Sequence, residues 1–348
     1  MPSVTFLIPG DLTTRTGGYE YDRRIIEGLR SRDWNVSVRA LDGTFPRPSP
    51  HALADTQGVL DALPDGELVV IDGLAFGAMP HQAQAHAHRL KLVALVHHPL
   101  ALETGLEPDA VTAFLESERR ALSCVRRVVV TSAETASTLQ REYDVGAGRL
   151  KVVQPGTDAA PLARGSNGGP LALVCIASLS PRKGHDVLFR ALGALVDRSW
   201  ELMCVGDDRR DASTADRLRS LLDELKIADR VSLWGEAGAA ETAAFYDAAD
   251  VFVLATLYEG YGMAVAEALA RGLPVLSTPT GAIPDLVGGD AGLLVAAGDV
   301  DGWIRTLARV FDPGVRAGLT AGARARRLLL PDWDHAAGEM AAVLQQYE

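Results

Sequence analysis

The chain has 348 residues, of which 47% are hydrophobic and 23% charged. That length suits two domains of roughly 150 residues each, and that balance suits a folded globular protein, not a disordered or fibrous one. The formal net charge of −11 excludes nucleic-acid binding through a global basic field, and no run of about 18 apolar residues offers a membrane span.

The first strand expected, Val4–Ile8, runs straight into Pro9-Gly10 without a basic leader, so a cytoplasmic location is expected. Next comes Thr14-Arg15-Thr16-Gly17-Gly18-Tyr19-Glu20, then a helix over Glu20–Arg32. Gly17 and Gly18 can bring backbone N–H groups close to a phosphate, or they can be a plain turn. Strands are predicted at Val36–Leu41, Leu68–Ile71, Leu90–Val96 and Val128–Thr131, with helices over Ala52–Ala62, Ala110–Leu122 and Glu134–Glu142. Strands apolar on both faces and separated by helices indicate a parallel sheet covered on both sides.

His97 and His98 follow the Leu90–Val96 strand. A histidine there can hydrogen-bond a ligand hydroxyl in either charge state, or can be a buried ring satisfied by backbone. Glu103 fits either an acceptor-side wall or the acid of the next helix start. Arg119-Arg120 and Arg126-Arg127 form a basic strip that is either solvated or turned toward a lipid acceptor. His81, His86 and His88 are spaced five and two apart, which does not put two ligands on one helix face, so no metal is expected. Cys124, Cys175 and Cys204 are too scattered for a disulfide framework or a cysteine-based zinc site.

Linker composition begins at Val153 and is clearest in Arg164-Gly165-Ser166-Asn167-Gly168-Gly169-Pro170. The alternation then restarts, with strands at Leu171–Ala177, Glu201–Val205, Val231–Trp234, Val251–Ala255, Val275–Ser277 and Gly292–Val295. Arg182 and Lys183 lie between the first of these strands and a helix over Asp186–Val196. Cations at a strand-to-helix junction suit a diphosphate, because the helix N-terminus acts on the same anion; the plain alternative is a solvated basic loop. Gly206 and Gly235 end the next two strands, as ligand contacts or as turn glycines.

The most informative stretch is Tyr258-Glu259-Gly260-Tyr261-Gly262-Met263-Ala264-Val265-Ala266-Glu267-Ala268-Leu269-Ala270-Arg271-Gly272, between two apolar strands. A helix starting near Met263 directs free N–H groups at an anion. Glu267, on an otherwise apolar helix, needs hydrogen-bond donors, which a ribose diol supplies; pairing with Arg271 at i+4 is the alternative. Glu259, in the loop, meets sugar hydroxyls or solvent. A last helix spans Trp333–Tyr347. The expected architecture is two doubly wound α/β domains, 1–158 and 159–331, then a 332–348 helix, with ligand in a cleft at the carboxyl ends of the strands.

The two glutamates, seven residues apart in E-G-Y-G-M-x-x-x-E-A-L-A-x-G, resemble the donor-site signature of the retaining glycosyltransferases of family four, and Arg182-Lys183-Gly184 resembles their basic loop. The resemblance covers nearly the whole chain and is specific from about Leu171 to Val295. It implies the GT-B fold: two Rossmann-like domains facing across a cleft, with the final helix crossing back to the first domain. It implies metal-independent transfer of a hexose-type sugar from UDP or GDP to a saccharide, lipid or small-molecule acceptor, with retention and without a cofactor.

By resemblance, Glu267 holds the ribose and Glu259 the transferred sugar, while the amides of Gly260, Tyr261, Gly262, Met263 and Ala264 face sugar and phosphate. Arg182 and Lys183 meet the diphosphate, Gly17 and Gly18 approach it from the first domain, and His97, which aligns better than His98, meets the sugar hydroxymethyl. Gly206 and Gly235 lie near the donor and its base, and Thr278 with Gly281–Asp285 resembles a family loop that often ends in glutamate. One departure stands out: Ala177-Ser178 occupies the place of a common Gly-Arg, leaving Arg182 as the substitute. The competing readings are a phosphorylase or nucleotide-sugar epimerase on the same fold, and a module that binds a nucleotide sugar without turnover.

Overall fold

A computed structural model describes residues 1–347. The backbone divides into two units, Met1–Gly156 together with the segment from Pro331 onward, and Thr157–Leu330. Each is built on a six-stranded, fully parallel sheet.

In the first unit the strands are β1 (Ser3–Pro9), β2 (Asn35–Leu41), β3 (Leu68–Asp72), β4 (Lys91–Val96), β5 (Arg127–Val130) and β6 (Leu150–Val152), in the order β2-β1-β3-β4-β5-β6. In the second they are β7 (Leu171–Ile176), β8 (Trp200–Val205), β9 (Val231–Leu233), β10 (Val251–Leu254), β11 (Val275–Ser277) and β12 (Gly292–Leu294), in the order β12-β11-β10-β7-β8-β9. The chain reverses its direction of travel across the sheet between β1 and β3, and again between β7 and β10. At such switch points successive connections leave toward opposite faces and open a crevice at the carboxyl ends of the strands.

β3, β4 and β10 are buried along nearly their whole length, as strands covered by helices on both faces must be. Helix Gly17–Arg30 begins where the Thr16 hydroxyl accepts from the Tyr19 amide, and it turns Tyr21, Asp22, Ile25, Ile26 and Leu29 to the core. Helix Trp333–Leu344 starts at Asp332, which accepts from the His335 amide at 2.7 Å, and packs on helix Gly17–Arg30. The two backbones come so close that a Cβ on Gly28 would lie 2.3 Å from the Ala337 Cβ. Arg24 lies over the Trp333 ring at 4.9 Å, and Arg127 donates to the Tyr347 hydroxyl at 3.0 Å and to Gln346 at 2.8 Å. Part of the expected basic strip is therefore structural: Arg127 fastens the C-terminal segment and Arg119 meets Asp144 at 3.2 Å.

Three features differ from the sequence reading. The Gly/Ser/Asn stretch after Ala163 is not a loose connector. The Arg164 and Gly165 amides donate to the Asp247 carbonyl at 2.9 Å, and the Ser166 amide donates to the Asp250 carboxylate at 3.1 Å. Short helices at Gly73–Phe76 and Pro80–His86 lie between two expected strands, where the sequence predicts no element, and edge strand β6 lies just before the expected break. Cys175 and Cys204 are buried register partners on β7 and β8, and both are free thiols. Among the described residues, no helix is long and apolar enough to cross a membrane.

Candidate active site

In the second unit, the loops after adjacent strands β7 and β10 bring Arg182, Lys183 and Glu259 together. Gly184 ends the short 3-10 turn Pro181–Lys183 and starts helix His185–Gly193 with φ +64°. A Cβ there would sit 2.0 Å from the Ala255 carbonyl oxygen, so glycine lets the basic loop lie directly on the end of β10. Thr256, fully buried, locks the two loops: its hydroxyl lies 3.1 Å from the Arg182 carbonyl, 2.9 Å from the Tyr258 carbonyl and 3.2 Å from the Glu259 carboxylate.

The Glu259 carboxylate is buried. Lys183 Nζ donates to it, and an Arg182 guanidinium nitrogen lies 3.5 Å away while donating to the Tyr258 carbonyl at 2.8 Å. Burial opposes ionisation of Glu259, but the Lys183 ammonium and then Arg182 outweigh it and hold the carboxyl below its ordinary range. Burial also lowers Lys183, against the pull of Glu259. Two cations thus face one carboxylate at the ends of the two central strands.

Glu267 sits half-buried on helix Met263–Ala270, which starts at Gly262. The Tyr246 hydroxyl donates to its Oε2 at 3.0 Å. Arg271 donates to the backbone carbonyl of Glu267 at 3.0 Å and lies over the Tyr246 ring at 4.5 Å, so it braces the tyrosine that orients the acid. Tyr261 belongs to the core, which leaves only its backbone for a ligand. Gly281 has φ +54°, and a Cβ there would lie 1.8 Å from the Glu259 carbonyl oxygen, so the 278–283 loop rests directly on the glutamate loop. Thr278 donates to the Thr256 carbonyl at 2.7 Å, while Asp285 is exposed.

Beside this cluster, at the ends of β8 and β9, lies a cavity of about 590 Å³ lined by residues including Asp207, Asp208, Arg219, Trp234, Gly235 and Glu236. The Gly206 amide donates to the Gly235 carbonyl at 2.8 Å and joins the two strand ends. Trp234 is 60% exposed, with its indole against Phe245 at 5.0 Å between ring centres.

In the first unit, the switch point between β1 and β3 carries a second cluster. His97 follows β4, Asp72 ends β3, and Asp22 comes from helix Gly17–Arg30. His97 Nε2 lies 3.2 Å from Asp22 Oδ1 and 3.3 Å from Asp72 Oδ2, and both acids are buried. Burial works against a charged ring, but the two carboxylates outweigh it and carry His97 up to about 10. Burial first, opposed by His97 and aided by Asp72, pushes the Asp22 carboxyl up to about 7. A Cβ on Gly18 would meet the His97 ring at 3.3 Å, so the glycine at 18 makes room for the histidine. His98 instead lies 3.5 Å from Glu103, which is not at a helix start; the next helix begins at Pro108.

Residues 12–160 match the family described as Glycosyltransferase Family 4, and residues 170–312 match Glycosyl transferases group 1. The chain belongs to the family-four glycosyltransferases. Among relatives of this glycosyltransferase, the MMP alpha-(1->4)-mannosyltransferase of Mycolicibacterium hassiacum is 27% identical over 319 residues, covering 87% of this chain and 74% of the relative. The D-inositol 3-phosphate glycosyltransferase of Saccharomonospora viridis is 34% identical over 259 residues, covering 67% of this chain and 60% of the relative. The chain thus spans about three fifths of the length of that inositol-phosphate enzyme. Its fold is shared with sucrose-phosphate synthase from Thermosynechococcus elongatus, with a TM-score of 0.84, 20% identity and 99% of each chain covered. Anabaena HepE, solved with UDP and glucose, superposes with a TM-score of 0.79 at 19% identity, covering 99% of this chain and 100% of that one.

Within this family-four framework the structure joins Arg182, Lys183 and Glu259 in one cluster and sets Glu267 on the next helix. It places Gly206 and Gly235 at the edge of the cavity, and Gly17, Gly18 and His97 in the first unit. Sequence reasoning missed Thr256, Tyr246, Asp22 and Asp72. A signal for Asp22 was available: positions 22, 25, 26 and 29 fall on one helical stripe, and an acid in an otherwise apolar stripe is costly unless partnered.

Proposed function

We propose that this glycosyltransferase moves a hexose-type sugar from a UDP or GDP donor to a hydroxyl acceptor with retention at the anomeric carbon and without a required divalent metal. The observation that carries this reading is the Arg182–Lys183–Glu259 cluster, which sets two cations one helix start away from Glu267. The diphosphate gains negative charge as the glycosidic bond breaks, so fixed cations favour the transition state over the ground state. Lys183 and Arg182 supply that charge, which is the part a divalent ion would otherwise play. On donor binding, Lys183 exchanges part of its contact with Glu259 for phosphate oxygens, and Glu259 turns to sugar hydroxyls.

Glu267, oriented by Tyr246, accepts from the ribose hydroxyls, and the amides at Met263 and Ala264 point to phosphate. Attack comes from the face the diphosphate leaves, and a departing phosphate oxygen takes the acceptor proton. The name of the Saccharomonospora relative includes a small polyol phosphate, which favours a small soluble acceptor. Thermal-shift measurements with UDP, GDP, ADP and dTDP, each with and without magnesium, test the reading. A ligand at about 100 times its Kd adds about 2.7 kcal/mol. A base-selective, magnesium-independent rise is expected, and folded protein that responds to none of the four would overturn the donor assignment.

A further inference from the structure

We propose that Asp22 and Asp72 are positioning residues that hold His97 as an imidazolium with Nε2 committed to them, so that Nδ1–H is the donor His97 offers to a substrate oxygen. This deepens the transfer reading and rests on it for the identity of that oxygen.

The geometry begins with charge. Two buried carboxylates face one imidazole nitrogen at 3.2 and 3.3 Å, and the three facing atoms lie within 4.8 Å of one another. Among the described residues no arginine or lysine pairs with either acid, so the ring proton is their nearest compensation. Uncompensated buried carboxylates are costly, and a charged donor between them lowers that cost.

The surroundings fix the ring. Helix Gly17–Arg30 contributes Asp22 and the Tyr21 ring, which meets His97 edge-on at 5.3 Å, with the Tyr21 hydroxyl turned away to the Val153 carbonyl at 3.0 Å. The end of β3 contributes Asp72, whose other oxygen accepts from the Leu74 amide at 2.7 Å. Thr131, after β5, donates to the His97 carbonyl at 3.3 Å, and Gly18 closes on the Cδ2 edge. With Nε2 engaged, Nδ1 is the nitrogen that no described residue holds.

The two acids are not equivalent. Asp72 is anchored by backbone, whereas Asp22 Oδ2 is buried with no partner among the described residues. When the trio takes up a further proton, Asp22 is the member that binds it, in keeping with a carboxyl raised to about 7. Burial raises the Asp22 carboxyl while the two carboxylates raise the ring, so the cluster as a whole keeps the histidine proton at neutral pH. The pair titrates as a unit, and Asp22 absorbs the change that would otherwise neutralise the histidine.

The test is a ¹⁵N-histidine NMR titration of the full chain from pH 5.5 to 9, with the His97 signal assigned from His97→Gln. Both ring nitrogens are expected to stay protonated at pH 8 in the native protein, and His97 in Asp22→Asn and Asp72→Asn is expected to lose a proton below that pH. A native His97 that titrates near 6.5, or a His97 resonance that moves when EDTA strips a bound divalent ion, would overturn the proposal. Either Asn variant alone suffices if the other fails to fold. In transfer assays with the donor selected by the thermal panel, Asp72→Asn should lower kcat about 10- to 100-fold, less than the ~10⁴ lost when an aspartate that orients a general-base histidine is replaced. UDP or GDP affinity should stay unchanged; an equal fall in nucleotide affinity would point to a merely structural role and overturn the assignment. If the NMR result holds while no transfer is found, the clamp stands and the transfer reading fails.

Discussion

The two units place ionisable clusters at the same architectural position, the carboxyl ends of strands flanking a sheet's switch point, with opposite charge balance. In the second unit two cations close around one carboxylate; in the first, two carboxylates close around one imidazole. The difference comes from where the charges are rooted. Arg182 and Lys183 ride on a half-buried loop and can turn to an incoming anion, whereas Asp22 and Asp72 are core groups with no such freedom. One fold therefore yields a site suited to receiving negative charge and another suited to fixing a proton.

The largest expected effect comes from removing a mobile cation. Lys183→Ala should lower kcat by about 10²–10³, as loss of one charge-stabilising donor does, with circular dichroism confirming the fold. A normal kcat would end the claim that this cluster stabilises the leaving group. Glu267→Ala should weaken nucleotide binding about tenfold, roughly the 1.4 kcal/mol of a lost charged hydrogen bond, while kcat at saturation holds. Calorimetry with the nucleoside diphosphate checks this, and unchanged affinity would remove Glu267 from the ribose.

Stability against pH separates the clusters by sign. His97 is raised from 6.5 to about 10, so its contribution is complete below pH 6.5 and is lost as pH rises through 10. Asp22, raised from 3.8 to about 7, adds loss in the same direction between those values. Glu259 is lowered, so its contribution is present above 4.5 and is lost as pH falls through the depressed value. Urea melts should show His97→Gln flattening the alkaline limb and Glu259→Gln the acid limb, and parallel curves for either variant would contradict the pairing. The smallest effect is expected for Gly18→Ala, whose methyl meets the ring at 3.3 Å. The methyl has to displace the ring by a few tenths of an ångström against the hold of Asp22 and Asp72, so kcat should fall a few-fold with a small drop in melting temperature.

Much of this was legible in the sequence because the signals are local. The apolar runs that become β3, β4 and β10 are bounded within a residue or two, and Glu259 through Glu267 lies on one continuous strand–loop–helix stretch. The first-unit cluster was not legible, since Asp22, Asp72 and His97 are 50 and 25 residues apart in turn and meet only because β3 lies between β1 and β4. The Tyr246–Glu267 bond was hidden for the same reason: it joins two helices separated in sequence by strand β10 and its loop. Strand β6, three half-buried residues at a sheet edge, carries too short an apolar run to register.

The helix Trp333–Leu344 that packs on Gly17–Arg30 has a consequence for synthesis. Its residues leave the ribosome only after the whole of Thr157–Leu330 has been made, and the Gly28–Ala337 contact closes last. At about 5–20 residues per second that interval is on the order of ten seconds or more. The second unit is continuous in sequence and can complete its core first. The first unit, though begun earlier, stays with one flank of its leading helix uncovered until the segment from Pro331 onward has emerged.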